Sequence, residues 1–316
     1  MPRDRGARRE VPIGHDPVLV DEAVRFVAGG RGIYLDATVG GGGHAEALLR
    51  ALPAEARLLG LDRDTVALAR ASKRLAAYGE RFIPVHASFD RLGGVMSALG
   101  HRSLAGALFD LGLSSLQLVD DSRGFSFRAR GALDLRFDRS EGEGAAEWLA
   151  RVDSSELVRV LSEYGELPDA RAVARAIVGA RERREIQTVE DLREAIRPLW
   201  GDAPHPRQLA RLFQALRIAV NDELDRLDRA LAEVPERLEN GAVLAVISYH
   251  SLEDRRVKAL FRGPARSRRE VRLSEAAAPE WEVLTSRPVV PSSLEVARNP
   301  RARSARLRAA RRRRSS

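Results

Sequence analysis

LDATVGGGGHAEALL, residues 35–49, carries the decision about this chain's fold. Its opening reads as the end of a strand, four consecutive glycines follow at Gly40 to Gly43, and the remainder has apolar residues at helical spacing. Glycine loses more chain entropy on folding than any other residue, so a run of them marks a backbone that must bend sharply or be approached closely. Strand, glycine turn and helix in that order predict an open α/β sheet with a ligand crevice outside the carboxyl end of the first strand. Residues 40–45, GGGGHA, also satisfy the G-x-G-x-x-A form of a dinucleotide fingerprint, and Asp62 stands 20 residues after Gly42.

Outward from that turn, IYLDA (33–37), RLLGLD (57–62), RFIPVHA (81–87) and AGALFD (105–110) read as β-rich runs separated by helical patterns. Such a series predicts a parallel sheet with helices on both faces. A fifth run, GAVLAVISY (241–249), comes only after residues 207–234, which read as one long helix. Between about 111 and 210 there is no strand run, and helical segments at 145–152, 154–165, 170–184 and 189–200 predict an inserted α-helical domain. The expected division is a flexible N-terminus (1–14), a discontinuous sheet domain (15–118 and 211–308), a helical insertion (119–210) and a basic tail (309–316). FRGPARSRREVRLSEAAAPE (261–280) reads as a mobile surface segment, and WEVLTSRPVV (281–290) as a source of one more strand.

The 316 residues carry a net charge of +8, but nine arginines and no acid fall between 298 and 316, and without those nine 44 bases face 45 acids. A cationic end of this kind suits a polyanion, because each neutralised phosphate releases counterions; the plainer alternative is a solvated tail. No apolar run has the length of a membrane span, and the charged N-terminus lacks the apolar core of a secretory signal. With no cysteine there is neither a disulfide framework nor a thiolate metal site, and six scattered histidines form no H-x-x-x-H pair, so no metal is expected. A cytoplasmic protein is the simplest expectation.

A carboxylate at Asp62, closing the second run, can accept the hydroxyls of an adenosine ribose. Two nucleoside cofactors then compete. A nicotinamide dinucleotide needs its pyrophosphate at the helix N-terminus, where Asp36 is an awkward neighbour. S-adenosylmethionine (SAM) has no phosphate, and its ammonium and sulfonium suit an acid at that place. Phe89 stands where a ring can lie against adenine, and Asp110 closes the fourth run beside the reactive end. The plain reading of the same residues is an ordinary turn with Asp62 and Asp64 as helix caps. A dehydrogenase and a non-catalytic RNA-binding protein on a vestigial fold are the rival readings of the whole chain.

The blocks HDPVLVDEAV (15–24), LDATVGGGGH (35–44), LLGLDRD (58–64), DLGLSS (110–115), RGFSF (123–127), AAEWL (145–149), FQALRIAVNDEL (213–224), ISYHSLEDRRVK (247–258) and NPRARSARLR (299–308) follow one another over nearly the whole chain. On them the chain resembles the bacterial family of ribosomal RNA small-subunit methyltransferase H. The resemblance implies a Rossmann-like class I SAM-dependent methyltransferase sheet interrupted by a helical domain. It also implies methyl transfer from SAM to the exocyclic N4 of a cytidine in 16S rRNA, at the decoding centre, within the small ribosomal subunit or its assembly intermediate. No membrane is involved, and a homodimer is compatible with it.

Carried over by motif, the SAM contacts are Gly42, Gly43, His44, Asp62, Phe89, Asp110 and Gln117. Asp110 is the first candidate to accept hydrogen bonds from the amine, with Ser114 or Ser115 assisting. His250, in SYHSLEDR, is the candidate to orient the base or take a proton. Arg123, Arg301 and Arg303 are candidate phosphate contacts. Phe125 and Phe127 either stack an extruded base or, the stronger expectation, pack the insertion onto the sheet. Val119 departs from the family, which commonly has Asp there, and ALDLRF (132–137) stands where PLDMRM is usual.

Overall fold

The computed structural model describes residues 17–263 and 281–313. The expectations for 1–14, for most of the segment after 262 and for the last three residues lie outside the described residues. Seven strands form one sheet in the order β3-β2-β1-β4-β5-β7-β6. They are β1 (Ile33–Asp36), β2 (Arg57–Asp62), β3 (Phe82–His86), β4 (Leu104–Asp110), β5 (Leu238–Ser248), β6 (Trp281–Val283) and β7 (Arg306–Arg312). β1 to β5 are parallel, while β7 runs antiparallel to β5 and β6 antiparallel to β7. The strand order reverses between β1 and β4, so the loops leaving these two strands part there and open a crevice.

Alternation along the strands feeds two cores. Tyr34, Leu58, Leu108, Ala245 and Leu307 pack with α1 (Val20–Val27) and α2 (Gly43–Ala51) on one face. Leu35, Leu59, Phe109, Val246 and Ala310 pack with α4 (Leu92–Ala98), α11 (Glu223–Arg237) and α12 (Ser251–Arg262) on the other. α3 (Thr65–Arg74) is started by Asp64, whose Oδ1 accepts from Val66 N at 3.0 Å and Ala67 N at 3.3 Å.

Between β4 and β5 come α5 (Ser115–Val119), α6 (Ala145–Arg151), α7 (Ser154–Glu163), α8 (Ala170–Arg181), α9 (Val189–Trp200) and α10 (Pro206–Asn221). Four of these, α6 to α9, answer to the expected helical segments. They share a core of their own with Phe125, Leu133 and Leu135.

The single helix expected over 207–234 is two. Asp222, at φ 50°, separates α10 from α11. The reason is packing: Leu212, Phe213 and Leu216 of α10 lie in the helical core, whereas Leu227 and Leu231 of α11 lie under the sheet. Chain at 211–221 therefore belongs with the helices, not with the sheet as the boundary at 211 had it. Asn221, 1% exposed, fixes the junction by donating to Leu135 O at 2.7 Å and accepting from Phe137 N at 2.8 Å.

The tail expected from 309 is corrected likewise. Ala309 and Ala310 are fully buried in β7, paired with Ala245 and Leu244 of β5. Arg308 in the same strand is neutralised by Asp254, at 2.6 and 3.1 Å.

Candidate functional site

The chain leaving β1 hangs between its neighbours, Ala37 N donating to Leu108 O at 2.8 Å and Val39 N to Leu61 O at 2.9 Å. Gly40 (φ 53°) and Gly42 (φ 80°) then take left-handed backbone that other residues resist, turning the chain into α2. A Cβ on Gly42 would stand 3.2 Å from Ala71 Cα in α3, and one on Gly43 3.0 Å from the Pro17 ring. Gly40, Gly41 and Gly43 line a cleft that opens to solvent. Gly42, expected among the contacts, is not a lining residue; it serves the turn and the close approach of α3.

Three carboxylates each close a strand below the turn; Asp62 and Asp110 line the cleft, whereas Asp36 is not a lining residue. Asp36 is fully buried; its Oδ1 accepts from Thr38 N at 3.2 Å and its Oδ2 has no hydrogen-bond partner. Burial pushes it up to about 7, against the opposing pull of His44 and the Thr38 amide. Asp62 accepts from Gly40 N at 2.7 Å and Asp64 N at 2.8 Å, and burial raises it to about 6 in spite of those amides. Asp110 receives the Tyr249 hydroxyl on Oδ1 at 2.9 Å, and its Oδ2 lies 3.5 Å from His44 Nδ1. Burial first, and Asp110 second, hold the Tyr249 hydroxyl well above its ordinary range, so it remains a donor.

His44 sits buried in the first turn of α2 with Nε2 2.9 Å from Val18 O. A carbonyl only accepts, so Nε2 carries the proton and the Nδ1 lone pair faces Asp110. Desolvation lowers the pKa of this imidazole, with Asp36 opposing.

Gln117 lines the cleft and ties it to the helical insertion: Nε2 donates to Asp64 Oδ2 at 3.1 Å and Oε1 accepts from Ser114 N at 3.0 Å. Arg123 donates to the same Asp64 oxygen, and its Nη2 donates to Arg136 O at 2.9 Å and Phe137 O at 2.7 Å. At 7% exposed, Arg123 is not the phosphate contact expected of it. Its guanidinium is committed to an internal carboxylate and two carbonyls. Phe125 stacks on Phe137 at 5.5 Å and Phe127 meets Phe213 edge-on at 6.3 Å, the packing role rather than base stacking. Phe89 lines the cleft, with its ring tilted against Phe109 at 5.7 Å.

His250 is not a lining residue. It caps α12, with Nδ1 accepting from Glu253 N at 3.4 Å and Nε2 3.1 Å from Glu253 Oε1. Its neighbours Tyr249 and Glu253 do line the cleft, as does Glu223, which accepts from Arg217 at 2.7 and 2.9 Å. Glu223, His250 and Glu253 offer ligand atoms within 4.8 Å of one another, a grouping that spacing could not reveal because it joins two distant stretches. Arg217 neutralises Glu223, and the Glu253 amide on Nδ1 leaves the imidazole proton on Nε2, facing Glu253 Oε1. Ser114 lines the cleft; the side chain of Ser115 lies outside the described residues. Arg301 is exposed at the cleft rim, and Arg303 is exposed but is not a lining residue.

Pro17, Glu223, Tyr249 and Glu253 line the cleft without having been site candidates, though each sits inside a block already singled out, Tyr249 and Glu253 in the one that holds His250. A ligand with a nucleoside and a positively charged end fits these residues. The unpartnered oxygen of Asp36 and the carboxylate of Asp110 favour a cation, and they oppose a pyrophosphate at the turn.

A family profile described as the MraW methylase family matches residues 12–313. A relative from Thermomicrobium roseum, named ribosomal RNA small subunit methyltransferase H, is 44% identical over 94% of this chain and 93% of its own. One of the same name from Sorangium cellulosum is 44% identical over 98% of this chain and 93% of its own. Among solved structures, an rRNA methylase from Streptococcus thermophilus aligns over 98% of this chain and 100% of its own, with a TM-score of 0.41 and 12% identity.

Proposed function

This chain belongs to the MraW methylase family, and from that premise we propose that it transfers a methyl group from SAM to the exocyclic N4 of a cytidine in 16S rRNA. The substrate is the small ribosomal subunit or its assembly intermediate, and the cytidine lies at the decoding centre. The observation that supports the cofactor is the pair of strand-end acids lining the cleft beside the glycine turn, Asp62 and Asp110. When bound, SAM supplies a methyl already activated on sulfur, so the protein's part is positioning and proton handling. Gly40, Gly41 and Gly43 admit the cofactor against bare main chain, Asp62 receives the ribose hydroxyls, Phe89 flanks adenine, and Gln117 closes the wall. Residues 119–221 serve RNA recognition. Incubating small subunits with labelled SAM and mapping the modified nucleoside tests this reading; N4-methylcytidine is expected, and label on another atom or none overturns it.

Asp62→Ala is expected to weaken SAM binding by about 1.5–3 kcal/mol for each charge-assisted hydrogen bond removed, measured by calorimetry. Binding should also release protons. With Asp36 raised to about 7, the free protein holds a proton there below neutrality that a cation must expel. Affinity for SAM is therefore expected to rise up to tenfold per pH unit toward pH 7 and then level off. Calorimetry at pH 6 in buffers of different ionisation heat should show protons released. The sign for stability is opposite. The unfolded carboxyl ionises near 3.8 and the folded one near 7, so folding loses up to about 1.4 kcal/mol per unit as pH rises across that window.

For the RNA, Arg301→Ala with Arg303→Ala is expected to weaken subunit binding. The slope of log affinity against log salt should fall by about one for each phosphate left without its arginine. SAM affinity measured alongside shows whether the loss belongs to RNA alone.

A further inference from the structure

We propose that Asp110 and His44 form a proton relay that takes the proton released by the methylated amine, with Asp36 as its counter-charge and Tyr249 as its positioning residue. The inference rests on the methyl transfer proposed above. Four features of the site carry it. The Nδ1 lone pair of a deeply buried imidazole faces a carboxylate oxygen 3.5 Å away, and two acceptors in that relation leave room for one proton between them. The other ring nitrogen is anchored to Val18 O at 2.9 Å, which fixes the tautomer and so aims the lone pair. The Tyr249 hydroxyl donates to Asp110 Oδ1 at 2.9 Å and so holds the carboxylate with Oδ2 toward His44. Asp36, fully buried with Oδ2 unpartnered, ends the strand whose glycine turn leads straight into the first turn of α2, where His44 sits.

The lone pair of the amine nitrogen forms the new N–C bond, the S–C bond breaks, and its electron pair stays on sulfur. The nitrogen, now cationic, loses a proton to Asp110 Oδ2, which passes it to His44 Nδ1. One positive charge leaves the sulfonium and one appears on the imidazole, so the strand-end acids face the same total charge before and after. The charged groups that face His44 are Asp36 from β1, Asp110 from β4 and Glu295 from the helix Ser293–Arg298, all acidic and all favouring the imidazolium. Burial opposes it, which keeps His44 neutral and receptive while the sulfonium cation is present.

The test reads the histidine directly as well as the reaction. In the full chain labelled with 15N-histidine, His44 is expected to show the Nε2–H tautomer. Its pKa is expected to be higher in the complex with S-adenosylhomocysteine than in the complex with SAM, because only the latter brings a sulfonium charge. An Nδ1–H tautomer, or equal pKa values in the two complexes, overturns the relay.

In single-turnover transfer to small subunits at saturating SAM, His44→Gln is expected to be about a hundredfold slower and to lose the acid limb of the wild-type pH profile. Asp36→Asn should move that limb to lower pH. Tyr249→Phe should lower the single-turnover rate with little change in KM for the subunit, which a purely structural role would not single out. If His44→Gln keeps the wild-type profile, or loses only SAM affinity, the relay is wrong. Failure of wild-type protein to methylate the subunit at all counts instead against the proposed function, and the histidine titration still decides the relay.

Discussion

Asp110→Asn is expected to slow single-turnover methyl transfer by two to three orders of magnitude while leaving the protein folded. Asparagine keeps the shape: its Oδ1 can still receive the Tyr249 hydroxyl, and the backbone bond from residue 110 to Thr38 Oγ1, at 2.8 Å, is untouched. What it removes is a negative acceptor beside His44 and beside the place where an amine must shed its proton. Asn Nδ2 would also present hydrogens to the Nδ1 lone pair and close the path onward. General acid–base contributions of about 10²–10⁴ set the scale. The measurement is single-turnover rate and SAM affinity side by side, across pH. A fall confined to affinity assigns Asp110 to the methionine end of the cofactor; a fall in rate at saturating SAM assigns it to the amine.

What the sequence disclosed about this site, and what it hid, divides along a physical line. Asp36, Asp62 and Asp110 were legible because each ends a strand, and strand ends at a switch in strand order are fixed by local pattern. The contacts that make them a site were not. Tyr249 reaches Asp110 across 139 positions and Arg123 reaches Asp64 across 59, and no local period encodes either. Arg123 misled for a related reason: an arginine beside GFSF looks like a surface cation until a buried partner is known.

The unbroken apolar period over 207–234 concealed the break at Asp222, because the halves differ only in what they pack against. The second half of β7 was hidden by composition. AARR (309–312) reads as the start of a basic tail, yet it continues a strand whose Ala309 and Ala310 are buried and whose Arg308 is neutralised by Asp254.

Arg123→Ala is expected to destabilise the protein by about 3–5 kcal/mol, the range for removing one partner of a buried ion pair and leaving the other charge uncompensated. Asp64 is 5% exposed and would keep only Gln117 and the amides at the start of α3. The damage does not end with one charge. Arg123 Nη2 also donates to the carbonyls of Arg136 and Phe137, so the segment that sets Phe137 beside the cleft loses its anchor. Its guanidinium lies over the Phe125 ring at 5.4 Å, and truncation opens space under that ring in the helical core. Thermal unfolding should begin on the order of 10 °C lower, using about 2–4 °C per kcal/mol for domains of this size. SAM affinity should fall with it, because Gln117 shares the oxygen of Asp64 that Arg123 vacates. Arg301→Ala supplies the contrast. That side chain is exposed at the rim, and its removal should leave the unfolding temperature unchanged while weakening RNA binding. An Arg123→Ala protein as stable as the parent would mean that Asp64 finds solvent when its partner goes, and that the wall between sheet and helices is looser than its burial implies.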